Sequence, residues 1–235
     1  MKKQFIYTTA LDKIRRMKKR IKVIPGGSSA GKTFSILPIL ADMCIKNPGL
    51  SVSVCSESMP HLRRGAMRDF LNIMKATNRY IDSNWNRTNS IYTFSNGSYM
   101  EFFGVDEESK LRGARRQILY INECSSVSED VYTQLAMRTS GDIFLDYNPS
   151  HVFWVDNVLQ SNEAEQLVLT YRDNEALDKT VINFLEGKRD LALTSDYWAN
   201  WCKVYLDGQT GTLEGTIFNN WKEIDRIPTD AQLLG

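Results

Sequence analysis

Lys22-Val23-Ile24-Pro25-Gly26-Gly27-Ser28-Ser29-Ala30-Gly31-Lys32-Thr33, running on into Phe34-Ser35-Ile36-Leu37-Pro38-Ile39-Leu40, is the stretch that decides the fold. A short apolar run enters a glycine loop, and a segment of helical periodicity leaves it. Gly26, Gly31, Lys32 and Thr33 meet the pattern GxxxxGK[ST]. Glycine lets successive backbone N–H groups turn toward an anion where a β-carbon would intrude. Lys32 can reach the β and γ phosphates, and the Thr33 hydroxyl offers one ligand to magnesium. The following helix aims its N-terminal dipole at the same charge. Gly26, Gly27, Ser28, Ser29, Ala30, Gly31, Lys32 and Thr33 therefore read as a cradle for a nucleoside triphosphate, taken here to be ATP with Mg2+.

Outward from this loop the pattern alternates between strands and helices. Pro38 falls in the first turns of the helix over 34–46, where its missing donor costs least, and Asn47-Pro48-Gly49 closes that helix. Leu50–Ser56 alternates like a strand, and a helix is expected over Met59–Ala76. Asn96-Gly97, between Ser90–Ser95 and Ser98–Phe103, signals a hairpin in which both turn residues take positive φ. Gln117–Asn122 and Asp142–Asp146 read as buried strands, and Glu165–Thr170 as a further one. Helices are expected over Lys179–Leu193 and Tyr197–Leu206. Strand, loop, helix, strand, helix is the opening of a βαβ unit, so the fold class is α/β with parallel strands.

A triphosphate site that also hydrolyses needs an acidic strand end beside the loop. Ile118-Leu119-Tyr120-Ile121-Asn122-Glu123 is the best candidate, with Glu123 as the group that orients and polarises the attacking water. Asn122 stands where such strands usually carry Asp; an amide can hold Thr33 or a magnesium-bound water but supplies no charge. Asp146, ending the next strand, competes for the acidic role. Transition-state charge calls for a cation beyond Lys32, for which Arg112, Arg115 and Arg116 are candidates. Asn148 follows Asp146 at the carboxyl end of a strand, where ligands gather, and is placed to report hydrolysis to neighbouring segments. His61 and His151 have no metal-ligand spacing.

The bulk properties narrow the remainder. With 235 residues, 42% hydrophobic and 24% charged, the chain can form one large α/β domain, or one domain with a small appendage. No apolar run approaches the ~20 residues a membrane helix needs, and no apolar core follows the basic start as a secretory signal would require. Four widely spaced cysteines argue against a zinc site or a disulfide framework and fit a reducing compartment. The net charge of +1 names no partner. Basic clusters over 13–22, at Arg63, Arg64 and Arg68, and over 110–116 lean toward a polyanion such as DNA.

At this point the residues resemble the ATPase half of the large terminase subunit, the DNA-packaging motor of tailed bacteriophages. The matches run in order along nearly the whole chain. They are Gly26-Gly27 with Gly31-Lys32-Thr33, Ser56-Glu57-Ser58 with Arg63-Arg64-Gly65, Leu111-Arg112-Gly113, Tyr120-Ile121-Asn122-Glu123, Tyr147-Asn148-Pro149, Thr170–Asn174, and Gly211–Phe218 with Trp221. The resemblance implies a RecA-like P-loop NTPase of the additional-strand, catalytic-glutamate type, a largely parallel sheet flanked by helices, and a small helical lid. In those terms residues 1–175 form the ATPase core, 176–215 the lid, and 216–235 a return segment. It implies ATP and Mg2+ as cofactors, and double-stranded DNA, portal protein, small terminase subunit and further copies in a ring as partners. The setting it implies is the cytoplasm of an infected bacterial host.

Under the same resemblance Arg112 acts as a finger on a neighbouring subunit's ATP, and Arg63 and Arg64 face DNA or a neighbour. Some family members carry arginine where Ser28 stands here, which puts more weight on Arg112. The chain stops at Gln232–Gly235, about where a ribonuclease-H-like nuclease is expected to begin, so no cutting activity is expected and a piece of a longer protein is the better account. Two rival readings stay open: a helicase-like or repair ATPase, and a nucleotide-gated assembly module with low turnover.

Overall fold

A computed structural model of the protein describes residues 5–106 and 115–211, and the structural statements below concern those residues. Eight strands form one sheet: β1 (Ile21–Pro25), β2 (Ser51–Ser56), β3 (Trp85–Asn86), β4 (Ile91–Thr93), β5 (Tyr99–Gly104), β6 (Ile118–Ile121), β7 (Ile143–Tyr147) and β8 (Ala164–Gln166). Their order is β3-β4-β5-β2-β6-β7-β1-β8. The pairings from β5 through β8 are parallel, and only the β3-β4-β5 edge is antiparallel. β7 therefore lies between the strand that enters the glycine loop and the strand that ends at Asn122 and Glu123. This is the additional strand of a RecA-like core.

Helices cover both faces, which is why the central strands are buried throughout and read as nearly continuous apolar runs. α1 (Thr9–Arg15), α2 (Lys32–Lys46), α3 (Met59–Arg64) and α4 (Ala66–Ala76) lie on one side. Their Ala10, Ile14, Leu37, Leu40 and Phe70 pack with Ile24, Tyr120 and Phe144 of the sheet. α5 (Glu129–Ala136) and α6 (Val155–Leu159) lie on the other, where Tyr132, Leu135 and Val155 meet Val23, Ile121 and Leu145. Successive residues of each strand thus serve opposite cores, as the pleat requires. Each fully buried Leu, Ile or Phe in them contributes roughly 1.5–3 kcal/mol.

α7 (Lys179–Ala192) and α8 (Asp196–Tyr205) pack against each other, with Leu185, Cys202 and Leu206 forming a small cluster around Tyr171. Arg189 closes it by an ion pair to Asp207 at 2.6 Å. Among the described residues no helix is long and apolar enough to cross a membrane. All four cysteines are buried free thiols.

Three local expectations need correction. The helix expected over Met59–Ala76 is two, because Gly65 leaves helical geometry (φ −111, ψ −114) at little cost for a residue without a β-carbon. The hairpin forms, but only Gly97 takes positive φ (+82). Phe94 N–H donates to Ser98 O at 2.8 Å, and Gly97 N–H to Phe94 O at 3.0 Å, giving a three-residue connection. Asn96 serves elsewhere: its amide donates to Cys44 O at 2.9 Å and Ile45 O at 3.0 Å, satisfying carbonyls at the end of α2. The strand expected over 165–170 is regular only to Gln166. Beyond it Leu167 and Leu169 still donate to Val23 O and Pro25 O, at 2.9 and 3.0 Å. Arg112 and the return segment 216–235 lie outside the described residues.

Candidate active site

The carboxyl ends of β1, β7 and β6 meet at one point. Register pairs Ile24 with Asp146 and Ile121 with Leu145, so the residues after β6 lie level with Asp146. They enclose a cavity of about 320 Å³ lined by Gly27 through Phe34, Asp69, Glu123, Asp146, Tyr147 and Asn148.

Packing holds the glycine loop in shape. Gly31 takes φ +74, the left-handed region that a β-carbon disfavours. A β-carbon on Gly27 would lie 2.1 Å from Tyr205 O at the end of α8, so the loop and that helix touch backbone to backbone. Ser29 also adopts positive φ (65), and Asn174 braces it by donating its amide to Ser29 O at 2.8 Å.

Lys32 is buried, and its Nζ donates to Gly26 O at 2.7 Å, Gly27 O at 3.1 Å and Asn148 Oδ1 at 2.8 Å. Burial lowers its pKa, opposed by the negative charges of Asp146 and Glu123. All three hydrogen-bond acceptors are neutral, so phosphate oxygens entering the cavity would be better partners for this cation.

Behind Lys32 lies a polar knot. Asp146 is 1% exposed, and its Oδ1 receives Tyr120 OH at 2.9 Å, Asn122 Nδ2 at 3.1 Å and the Glu123 N–H at 3.1 Å. Asn122 Nδ2 also lies 3.3 Å from Thr33 Oγ1 and 3.2 Å from Tyr120 OH. Burial pushes the Asp146 carboxyl up, while Lys32 and these donors pull it back. Burial and the Asp146 charge push Tyr120 well up, which keeps it a phenol that donates. Glu123 differs from Asp146: its side chain is 53% exposed, and His61 Nε2 lies 3.3 Å from its Oε2.

The fold thus brings together the loop residues, Lys32, Thr33, Asn122, Glu123 and Asn148. Arg63 and Arg64 are exposed on α3, next to His61. Arg115 is exposed, whereas Arg116 is buried with its guanidinium 5.7 Å from the Phe103 ring centre and does not line the cavity. The basic stretch over 13–22 is largely matched by the protein's own acids. Lys13 pairs with Asp173 at 2.7 Å, Arg16 with Asp12 at 2.6 Å, Arg20 with Glu163 and Lys22 with Asp142 at 3.1 Å, and Arg15 with Asp42. Sequence reasoning missed His61 as the neighbour of Glu123, Asp69 in the cavity wall and Asn174 under the loop. Only Asn174 had a signal, as the last residue of a motif-like stretch; the other two arrive through α3 and α4.

A family model described as "Terminase large subunit, T4likevirus-type, N-terminal" matches residues 23–223. No curated protein sequence matches the chain significantly. Among solved structures, the large terminase of a thermophilic bacteriophage superposes with a TM-score of 0.69 at 16% identity, over 87% of this chain and 53% of that one. The same phage's terminase in complex with ATP-gamma-S gives 0.66 at 17% identity, over 86% and 52%. The Thermus phage P74-26 large terminase ATPase domain gives 0.65 at 11% identity, over 87% and 94%. This chain therefore spans about half the length of the thermophilic phage's large terminase.

Proposed function

This chain belongs to the terminase large subunit family, matching its N-terminal domain, and from that premise we propose that it hydrolyses ATP to drive double-stranded viral DNA into a procapsid. The observation that carries the reading is Lys32. It is a buried cation held by neutral oxygens in the wall of a cavity that Glu123 and Asn148 also line. The thermophilic phage's terminase solved with ATP-gamma-S supports a nucleotide in the equivalent fold.

On entry of ATP, Lys32 exchanges its carbonyl acceptors for β and γ phosphate oxygens, and the loop N–H groups from Gly27 to Thr33 close around the chain. Glu123, at the solvent side of the cavity, orients a water toward the γ-phosphorus and takes its proton. Asn148, already bonded to Lys32, senses loss of the γ-phosphate and passes the change into β7 and the segment after it. The donor set fits Mg2+: Thr33 and the carboxylates are hard oxygens. An ion of this kind takes many of its ligands from the phosphates themselves. Thr33, and Asn122 through a water, would hold it, and when bound it neutralises the phosphate charge.

Residues 1–175 act as the core, 176–215 as a lid whose α8 rests on Gly27, and 216–235 as a return segment. Arg112 supplies the finger, in a ring assembled on the portal with the small terminase subunit, in the cytoplasm of the infected host. Arg63 and Arg64 touch DNA phosphates or a neighbour. For the nucleotide site the test is calorimetry with an ATP analogue. Lys32→Ala removes charge-assisted hydrogen bonds and should weaken binding by about 10–100-fold; unchanged affinity would contradict the assignment.

A further inference from the structure

We propose that Asp146 supplies the negative charge that the neighbouring strand end, carrying Asn122, lacks, and that it positions Asn122 and Thr33 as the acidic side of the magnesium site. The inference rests on the nucleotide-binding reading above.

The amide of Asn122 presents its nitrogen, not its oxygen, to Thr33 Oγ1 at 3.3 Å. A nitrogen carrying two hydrogens cannot ligate a hard cation. The same nitrogen donates to Asp146 Oδ1 at 3.1 Å, so an unbroken line runs from a buried carboxylate through Asn122 to the loop hydroxyl. Asp146 reaches this place from β7, one strand over, because Leu145 is in register with Ile121. Tyr120 OH and the Glu123 N–H complete the donor set on that one oxygen, at 2.9 and 3.1 Å. Asp146 Oδ2 receives none of the described hydrogen bonds, and Asp146 lines the cavity. A water on a magnesium ion held at Thr33 would find there the anion that Asn122 does not provide.

A purely structural anchor would need only an acceptor at Oδ1, and the amide oxygen of an Asp146→Asn variant still provides one. The two accounts therefore separate on charge. The experiment titrates Mg2+ into the full chain holding a fluorescent ATP analogue, with a parallel nucleotide titration in EDTA. Asp146→Asn should raise the Mg2+ midpoint by about tenfold or more while leaving metal-free affinity within about twofold or tighter, since a buried charge acts over these distances. Moving the carboxylate back, in Asn122→Asp with Asp146→Asn, should restore the midpoint to within about threefold of wild type.

A wild-type midpoint in Asp146→Asn, or parallel weakening with and without metal, overturns the proposal. Should the single variant not fold, the double variant decides alone: a wild-type midpoint supports the relocated charge, and a tenfold higher one overturns it. Failure of the wild type to bind the analogue in EDTA and in Mg2+ would instead defeat the nucleotide-site reading itself.

Discussion

Glu123 holds its backbone at φ 55, ψ 56, the left-handed region that costs a residue with a β-carbon about 1–2 kcal/mol. The Asp146 oxygen that receives its N–H at 3.1 Å fixes the turn, and the turn points the carboxylate away from the core into the cavity. In the proposed mechanism this local strain is the means of presenting the group that activates water. Glu123→Gly should therefore raise stability by about 1 kcal/mol in denaturant unfolding while hydrolysis is lost. A variant no more stable than wild type would mean that the conformation carries no strain. Lys32, Thr33 and Glu123 were legible in the sequence because each sits at a fixed offset within one local segment. Asp146 was legible only as a competitor for the acidic role. Its three donors come from β6 and the turn after it, and they converge through strand register, which spacing along the chain does not reveal.

At the scale of elements, the glycine loop is clamped between the segment after β8 and the end of α8. Gly27 has no room for a methyl group, with Tyr205 O 2.1 Å from where its β-carbon would be. Gly27→Ala should push α8 off the loop, cost about 1–3 kcal/mol in chemical denaturation and weaken nucleotide binding. Unchanged stability would show that α8 gives way freely. The central strands and α2 were legible because buried parallel strands are apolar runs and the helix keeps its period. α1 was not: it is short, Lys13 and Arg15 with Arg16 at its cap read as part of a basic run, and its apolar Ala10, Leu11 and Ile14 fill little more than one turn. The basic stretch over 13–22 leaned toward a polyanion surface, and in the fold acids as distant in sequence as Asp173 and Glu163 pair with its Lys13 and Arg20. Clustering of like charge shows nothing about which acids the fold will bring alongside.

For the whole molecule, the sheet order places β7 between β1 and β6, and this makes a single centre from three strand ends. β1 delivers the loop and Lys32, β6 delivers Asn122 and Glu123, and β7 delivers Asp146 and Asn148. The α/β class was legible from the alternation of elements, while the strand order entered the sequence reading only through family resemblance. The antiparallel edge at β3 was not legible, since two residues, Trp85 and Asn86, leave no periodicity to read. In the proposed mechanism these strand ends form one hydrolytic centre, in which Lys32 binds ATP and Glu123 activates water. Single-turnover hydrolysis of bound ATP in wild type and Glu123→Gln, with nucleotide affinity measured on the same samples, decides whether they do. The expected result is a rate lowered by about 10²–10⁴-fold with affinity within a few-fold of wild type; hydrolysis in Glu123→Gln at the wild-type rate would contradict it.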